Sequence, residues 1–156
     1  MPASRDPLQL QLAIKGRQLA VTLSNASNQD IRLWEWHNSW GWYALRFEVV
    51  LDDDRRFEIK RRTREWTKNG PDYFALAPHE TRAVVIDLDD GWWAVDTLDA
   101  AGGTPEDWRA RPMQMRACLR IPPTPESERL GVFTGAACSE WTASRPPNDW
   151  LVLSRD

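Results

Sequence analysis

The stretch that decides the fold is Leu8-Gln9-Leu10-Gln11-Leu12-Ala13-Ile14, answered after a turn by Leu19-Ala20-Val21-Thr22-Leu23. Leucine or isoleucine stands at every second position, with glutamine or alanine between. That period of two belongs to a strand with one buried face. Lys15-Gly16 supplies the turn, and the second run continues the alternation as an antiparallel partner. A hairpin with one apolar face must be covered by another layer.

Working outward, the covering layer also reads as strands. After the polar turn Asn25-Ala26-Ser27-Asn28-Gln29-Asp30, a strand is expected over Ile31 to Trp36, then a loop from His37 to Gly41. Tyr43, Leu45, Phe47, Val49 and Leu51 share one face of a long strand, and Asp52-Asp53-Asp54 turns it back into Phe57 and Ile59. Tyr73 to Leu76 and Val84 to Leu88 follow as short strands, with Asp87 to Trp93 as a loop. Met113, Met115, Ala117, Leu119 and Ile121 alternate again, Phe133 to Trp141 forms a later strand, and Trp150 to Leu153 is a candidate last one. Thr104-Pro105-Glu106 and Thr124-Pro125-Glu126 each place a capping threonine, a proline and an acid at a helix start. Gly131 is well placed to end the second helix. About seven to nine short strands with closely spaced turn signals predict an all-β, antiparallel sandwich. One domain over residues 1–156, with one or two short loop helices, accommodates them.

The layout resembles bacterial immunoglobulin-like β-sandwich domains. Three features carry the resemblance: the paired opening strands with their Asn-Ala-Ser-Asn turn, the turn Leu76-Ala77-Pro78-His79-Glu80-Thr81, and the late segment Met113–Pro123 leading to Gly131-Val132-Phe133-Thr134-Gly135. The second is similar to the Leu-x-Pro-Gly-Glu-Ser/Thr turn common in such domains. A similar layout occurs in intracellular proteinase-inhibitor-like sandwiches of bacteria, although no reactive-loop motif carries over. The resemblance implies a fold and no activity. The chain departs from antibody-type domains, whose second cysteine follows a tyrosine by two residues, because Arg116 holds that position before Cys118.

Composition narrows the function. The 156 residues carry a net charge of −3, which argues against the basic surface of a nucleic-acid binder. Seventeen of the 20 basic residues are arginine, a bias that either reflects genome composition or supplies guanidinium groups to stack on indoles. Cys118 and Cys138 read as two half-buried thiols, or as a bridge between neighbouring late strands worth about 3 kcal/mol. The first residues lack the apolar core of a signal peptide, and no apolar run approaches the roughly 20 residues of a membrane span. An intracellular location, the cytoplasm, is the resulting expectation.

No nucleophile elbow, phosphate loop or His-Glu-x-x-His is present, so neither an enzyme nor a cofactor is expected. Zinc held by Cys118, Cys138, His37 and His79 lacks the usual ligand spacing. The acidic runs Asp52-Asp53-Asp54 and Asp87 to Asp90 miss the calcium-loop register and read as solvated turns. The sequon Asn25-Ala26-Ser27 has no role unless the chain is secreted.

The unusual number is ten tryptophans. Trp34, Trp36, Trp40 and Trp42 fall within nine residues, beside His37. Continued alternation past Ile59 would put Arg62, Arg64 and Trp66 on one face. These eight residues form the candidate binding surface, with Trp92 or Trp93 as possible additions. Indoles and guanidinium groups are the side chains enriched where proteins bind one another, so a protein partner is the first expectation. A carbohydrate stacked on exposed indoles is the alternative, and a purely structural use of the tryptophans is a third.

Overall fold

A computed structural model describes residues 6–15, 18–98 and 103–144. The candidate strand Trp150 to Leu153 lies outside them. The opening hairpin is as read: β1 (Leu8–Lys15) pairs antiparallel with β2 (Gln18–Asn25), Leu10 opposite Leu23 and Leu12 opposite Val21. Next come β3 (Ile31–Trp34), a one-turn helix α1 (Ser39–Trp42), β4 (Leu45–Leu51), β5 (Arg56–Arg61), β6 (Tyr73–Leu76), β7 (Thr81–Asp87) and β8 (Trp93–Thr97). A 3-10 turn at Trp108–Ala110 precedes β9 (Met113–Ile121), α2 (Pro125–Leu130), β10 (Gly135–Cys138) and β11 (Thr142–Ser144).

The strands form an all-β, antiparallel, sandwich-like fold. One sheet runs β1-β2-β7, and the other runs β10-β9-β4-β5-β8, with β11 continuing beside β9 below β10. β3 and β6 form a separate two-stranded ribbon. Leu19, Val21 and Leu23 from the first sheet join Phe47, Val49, Phe57, Ile59, Met115 and Leu119 from the second in one continuous buried cluster. Each such side chain contributes about 1.5–3 kcal/mol when removed from water. On the outer face of the larger sheet Glu48 stands opposite Glu58, a repulsive register that three arginines neutralise. Arg46 binds Glu58 at 2.9 Å, while Arg116 and Arg120 bind Glu48.

Several local expectations are corrected. β3 stops at Trp34, because Asn38 caps α1: its side chain accepts from Gly41 N, so the expected loop becomes a helical turn. Gly41 is required there, since a Cβ would sit 2.0 Å from the Glu35 carbonyl oxygen. Tyr43 ends α1 instead of beginning β4. The expected loop before Trp93 ends in a strand, β8, which pairs with β5. Thr104 caps no helix: its hydroxyl pairs with Thr97 at 3.1 Å, and the helical turn that follows it starts at Trp108. Of the strand expected over Phe133 to Trp141 only β10 forms, because the Ser139 hydroxyl accepts from Ala117 N at the end of the ladder, and β11 begins beyond Trp141. α2 follows its signals: Thr124 caps Ser127 N, and Gly131 closes it with φ +67°.

Cys118 and Cys138 are joined by a disulfide and are not free thiols. They face each other in the β9–β10 register, with Cα atoms 4.1 Å apart. Such closeness belongs to a non-hydrogen-bonded antiparallel pair. Among the described residues no helix is long and apolar enough to cross a membrane.

Candidate functional site

The four tryptophans between residues 34 and 42 do not make one patch. Trp34 is buried, with its ring 5.7 Å from Trp40. Trp36 lies beyond the end of β3 and packs 6.3 Å from Phe74, whose ring carries Arg82 at 3.9 Å. Trp42 turns the other way. α1 is a single turn, so its side chains leave the axis in different directions instead of sharing a strand face.

Trp42 is the centre of the densest aromatic and cationic assembly in the described residues. Its indole Nε1 donates to the Arg62 carbonyl at 3.0 Å. Arg61 lies 4.0 Å from its ring centroid and also 4.6 Å from that of Trp93. Arg64 covers Trp42 at 4.7 Å, Trp66 at 4.6 Å and Trp92 at 5.4 Å. Trp66 and Trp92 each stand nearly perpendicular to Trp42, at 83° and 84°. Perpendicular rings and centred guanidinium groups are the favourable geometries of the indole quadrupole. Burial pushes the Arg61 pKa down and Arg64 repulsion adds to that, while Asp90 works in the opposite sense.

The backbone explains the convergence. β5 ends at Arg61, and Arg62 N donates to the Trp92 carbonyl at 2.7 Å. Arg64 N donates to the Tyr43 hydroxyl at 3.3 Å. Residues 62–66 are therefore tied both to the α1 corner and to the segment entering β8. The expected strand alternation of Arg62, Arg64 and Trp66 does not exist. Arg64 and Trp66 join the assembly, Arg62 contributes its main chain, and Arg61, Trp92 and Trp93 complete it. Arg61 was hidden because continued strand alternation assigned it to the opposite face, while the adjacent pair Trp92-Trp93 was the sequence signal for the other two.

Trp92 is 40% exposed, and Arg62 and Arg64 are exposed beside it. The assembly presents a rigid indole edge with cations at its rim. His37 lies apart: it is exposed, and its Nε2 stands 3.5 Å from the Asp72 carboxylate. A cleft of about 240 Å³ is lined by Trp34, Trp40, Arg46 and Arg120 among others.

The acidic turns serve the fold. Asp52 and Asp53 bind Arg111, Asp87 accepts from Asp89 N, and Asp90 accepts from Trp92 N. Glu48, Cys118 and Cys138 form the one metal-compatible cluster among the described residues, but the two sulfurs are bonded to each other and offer no thiolate. Comparison with known protein families, characterised proteins and solved structures finds no match.

Proposed function

We propose that this chain is a non-catalytic interaction module that binds a protein partner through the surface around Trp92, Trp66 and Arg64. The observation that carries this reading is the stacked assembly in which Arg64 covers three indoles while Trp92 remains 40% exposed. A guanidinium fixed between rings loses little further conformational freedom on binding, and rigid indoles supply contact area at low entropic cost. Asp96 pairs with Lys60 at 2.9 Å and Asp90 stands near Arg61, but the remaining cations of residues 60–68, Arg62, Arg64 and Lys68, outnumber Glu65, so the fitting partner presents acidic groups around an apolar anchor. The indole faces covered by Arg64 are taken from any sugar ring, which favours a protein partner here.

A second reading, carbohydrate binding, has support elsewhere. Trp141, 39% exposed, borders a groove of about 870 Å³ with Asp54, Gln114 and Arg116. Arg116 lies over one face of this indole, 4.7 Å from the ring centroid, so a sugar ring would stack on the opposite face with its hydroxyls toward the polar side chains. The finer immunoglobulin-like reading is supported by the strand order, β10-β9-β4-β5 opposed to β1-β2-β7. The expected cytoplasmic location sits less easily with the disulfide, which favours an oxidising compartment.

Affinity purification with the wild type, Trp92→Ala and Arg64→Ala tests the protein-binding reading. A partner retained by the wild type should be lost by about tenfold or more in either variant, the scale of an interface hot spot. Its retention should also fall with added salt. Equal retention by all three proteins would remove the surface assignment, and saturable glycan binding abolished by Trp141→Ala would favour the second reading.

A further inference from the structure

The cleft beside Trp40 has a chemistry of its own, separate from the Trp42 assembly. Trp34, Trp40, Ile121 and Pro122 give it apolar walls, and Arg46 and Arg120 are its charged groups. Arg46 uses Nη1 on Glu58 at 2.9 Å and Nη2 on the Tyr43 carbonyl at 3.5 Å. Its Nε is buried and has no acceptor. A buried donor without an acceptor is costly, and with Nη1 and Nη2 already engaged it marks Arg46 as a guanidinium whose bonding capacity is not filled within the chain. Arg120 reaches Glu48 at 3.4 Å, a contact longer than a strong charge-assisted bond, and its side chain is 45% exposed.

Charge sets the ligand class. Arg46, Arg116 and Arg120 face Glu48 and Glu58, leaving one positive charge in excess on this part of the sheet. A single excess charge suits a monoanion, and largely apolar walls disfavour a strongly hydrated phosphate. We propose that the cleft binds a carboxylate carried on a flat apolar body, its oxygens toward Arg46 and Arg120 and its body beside Trp40. A free aromatic acid and the C-terminal carboxylate of a peptide ending in an aromatic residue share this chemistry. The assignment does not depend on the protein-binding reading of the Trp42 surface.

The test is a titration of the full chain, labelled with nitrogen-15, following the indole N–H resonances. Phenylacetate is compared with 2-phenylethanol, which keeps the ring and lacks the charge, and with acetate, which lacks the ring. The peptide acetyl-Gly-Phe is added as its free acid and as its amide. The proposal expects saturable shifts of Trp34 and Trp40, with phenylacetate or the free-acid peptide binding at least tenfold tighter than its uncharged counterpart. The tighter of the two identifies the source. Arg120→Gln, at an exposed position, should weaken binding by about tenfold, as expected for one charge-assisted hydrogen bond, with the unperturbed indole resonances reporting that the variant is folded. Arg46→Lys, which keeps the charge and removes the planar guanidinium fork, should weaken it further. Equal binding of phenylacetate and 2-phenylethanol, shifts confined to Trp42 and Trp92, or no shift up to the solubility limit would each overturn the proposal.

Discussion

Asn25 shows how one side chain can decide against a motif. Both hydrogens of its amide nitrogen are used, on the carbonyls of Leu76 and Gln29, and its oxygen accepts from the main chain and the hydroxyl of Ser27. The residue is buried, so the sequon offers no free amide to a sugar in the folded chain. Nothing in Asn-Ala-Ser as a string distinguishes an exposed acceptor from a turn that ties two strands together. His79 makes the complementary point. It occupies the position where the similar turn carries glycine, and it adopts φ +62°. The left-handed region costs a residue with a Cβ roughly 1–2 kcal/mol, an advantage of glycine partly offset by its greater freedom when unfolded. His79→Gly should therefore raise stability by about 0.5–1 kcal/mol in urea denaturation. An unchanged or lower midpoint would show that this turn holds no such strain.

At the scale of elements, strands were legible where alternation is long, and illegible where a cap or a hydrogen bond interrupts it. β1, β2, β4 and β9 carry their period of two almost from end to end, and α2 announces itself through Thr124, Pro125 and Gly131. α1 hides inside an aromatic run because its deciding group, Asn38, acts through its side chain and not through periodicity. The end of β5 at Arg61 was equally silent, and with it went the face assignment of the basic run. The β9–β10 pair carries the disulfide, which closes a loop with a sequence separation of 20. Reduction should lower stability by about 3 kcal/mol in the chain-entropy description. Guanidinium denaturation with and without dithiothreitol measures it, with Cys118→Ala/Cys138→Ala expected to match the reduced wild type. Coincident curves after reduction verified by mass spectrometry would mean that the bridge contributes nothing to stability.

Across the whole molecule, distant segments are joined by arginine. Arg111, just before β9, binds Asp52 at 2.5 Å and Asp53 at 3.1 Å in the β4–β5 turn. Desolvation pushes the Asp53 pKa up, but the Arg55 N–H and the Arg111 guanidinium outweigh it and hold the carboxyl below its ordinary 3.8. A carboxyl depressed by folding stabilises fully above its unfolded pKa and loses that contribution as the pH falls through the folded one. The wild type should thus exceed Arg111→Gln in urea midpoint at neutral pH, and the gap should close below about pH 4. A gap independent of pH would show that Arg111 acts through packing alone. The sequence by itself determined the sandwich class, the opening hairpin, the second helix and the importance of tryptophan and arginine, because period, capping and composition are local properties. Only the tertiary structure decided which indoles meet. Trp42, Trp66 and Trp92 come from α1, the segment after β5 and the entry to β8, and no local pattern encodes which loop ends share a corner. The same holds for the disulfide and for the cleft at Arg46, since each depends on strand register. Register is fixed by burial of an entire sheet face, which no single segment specifies.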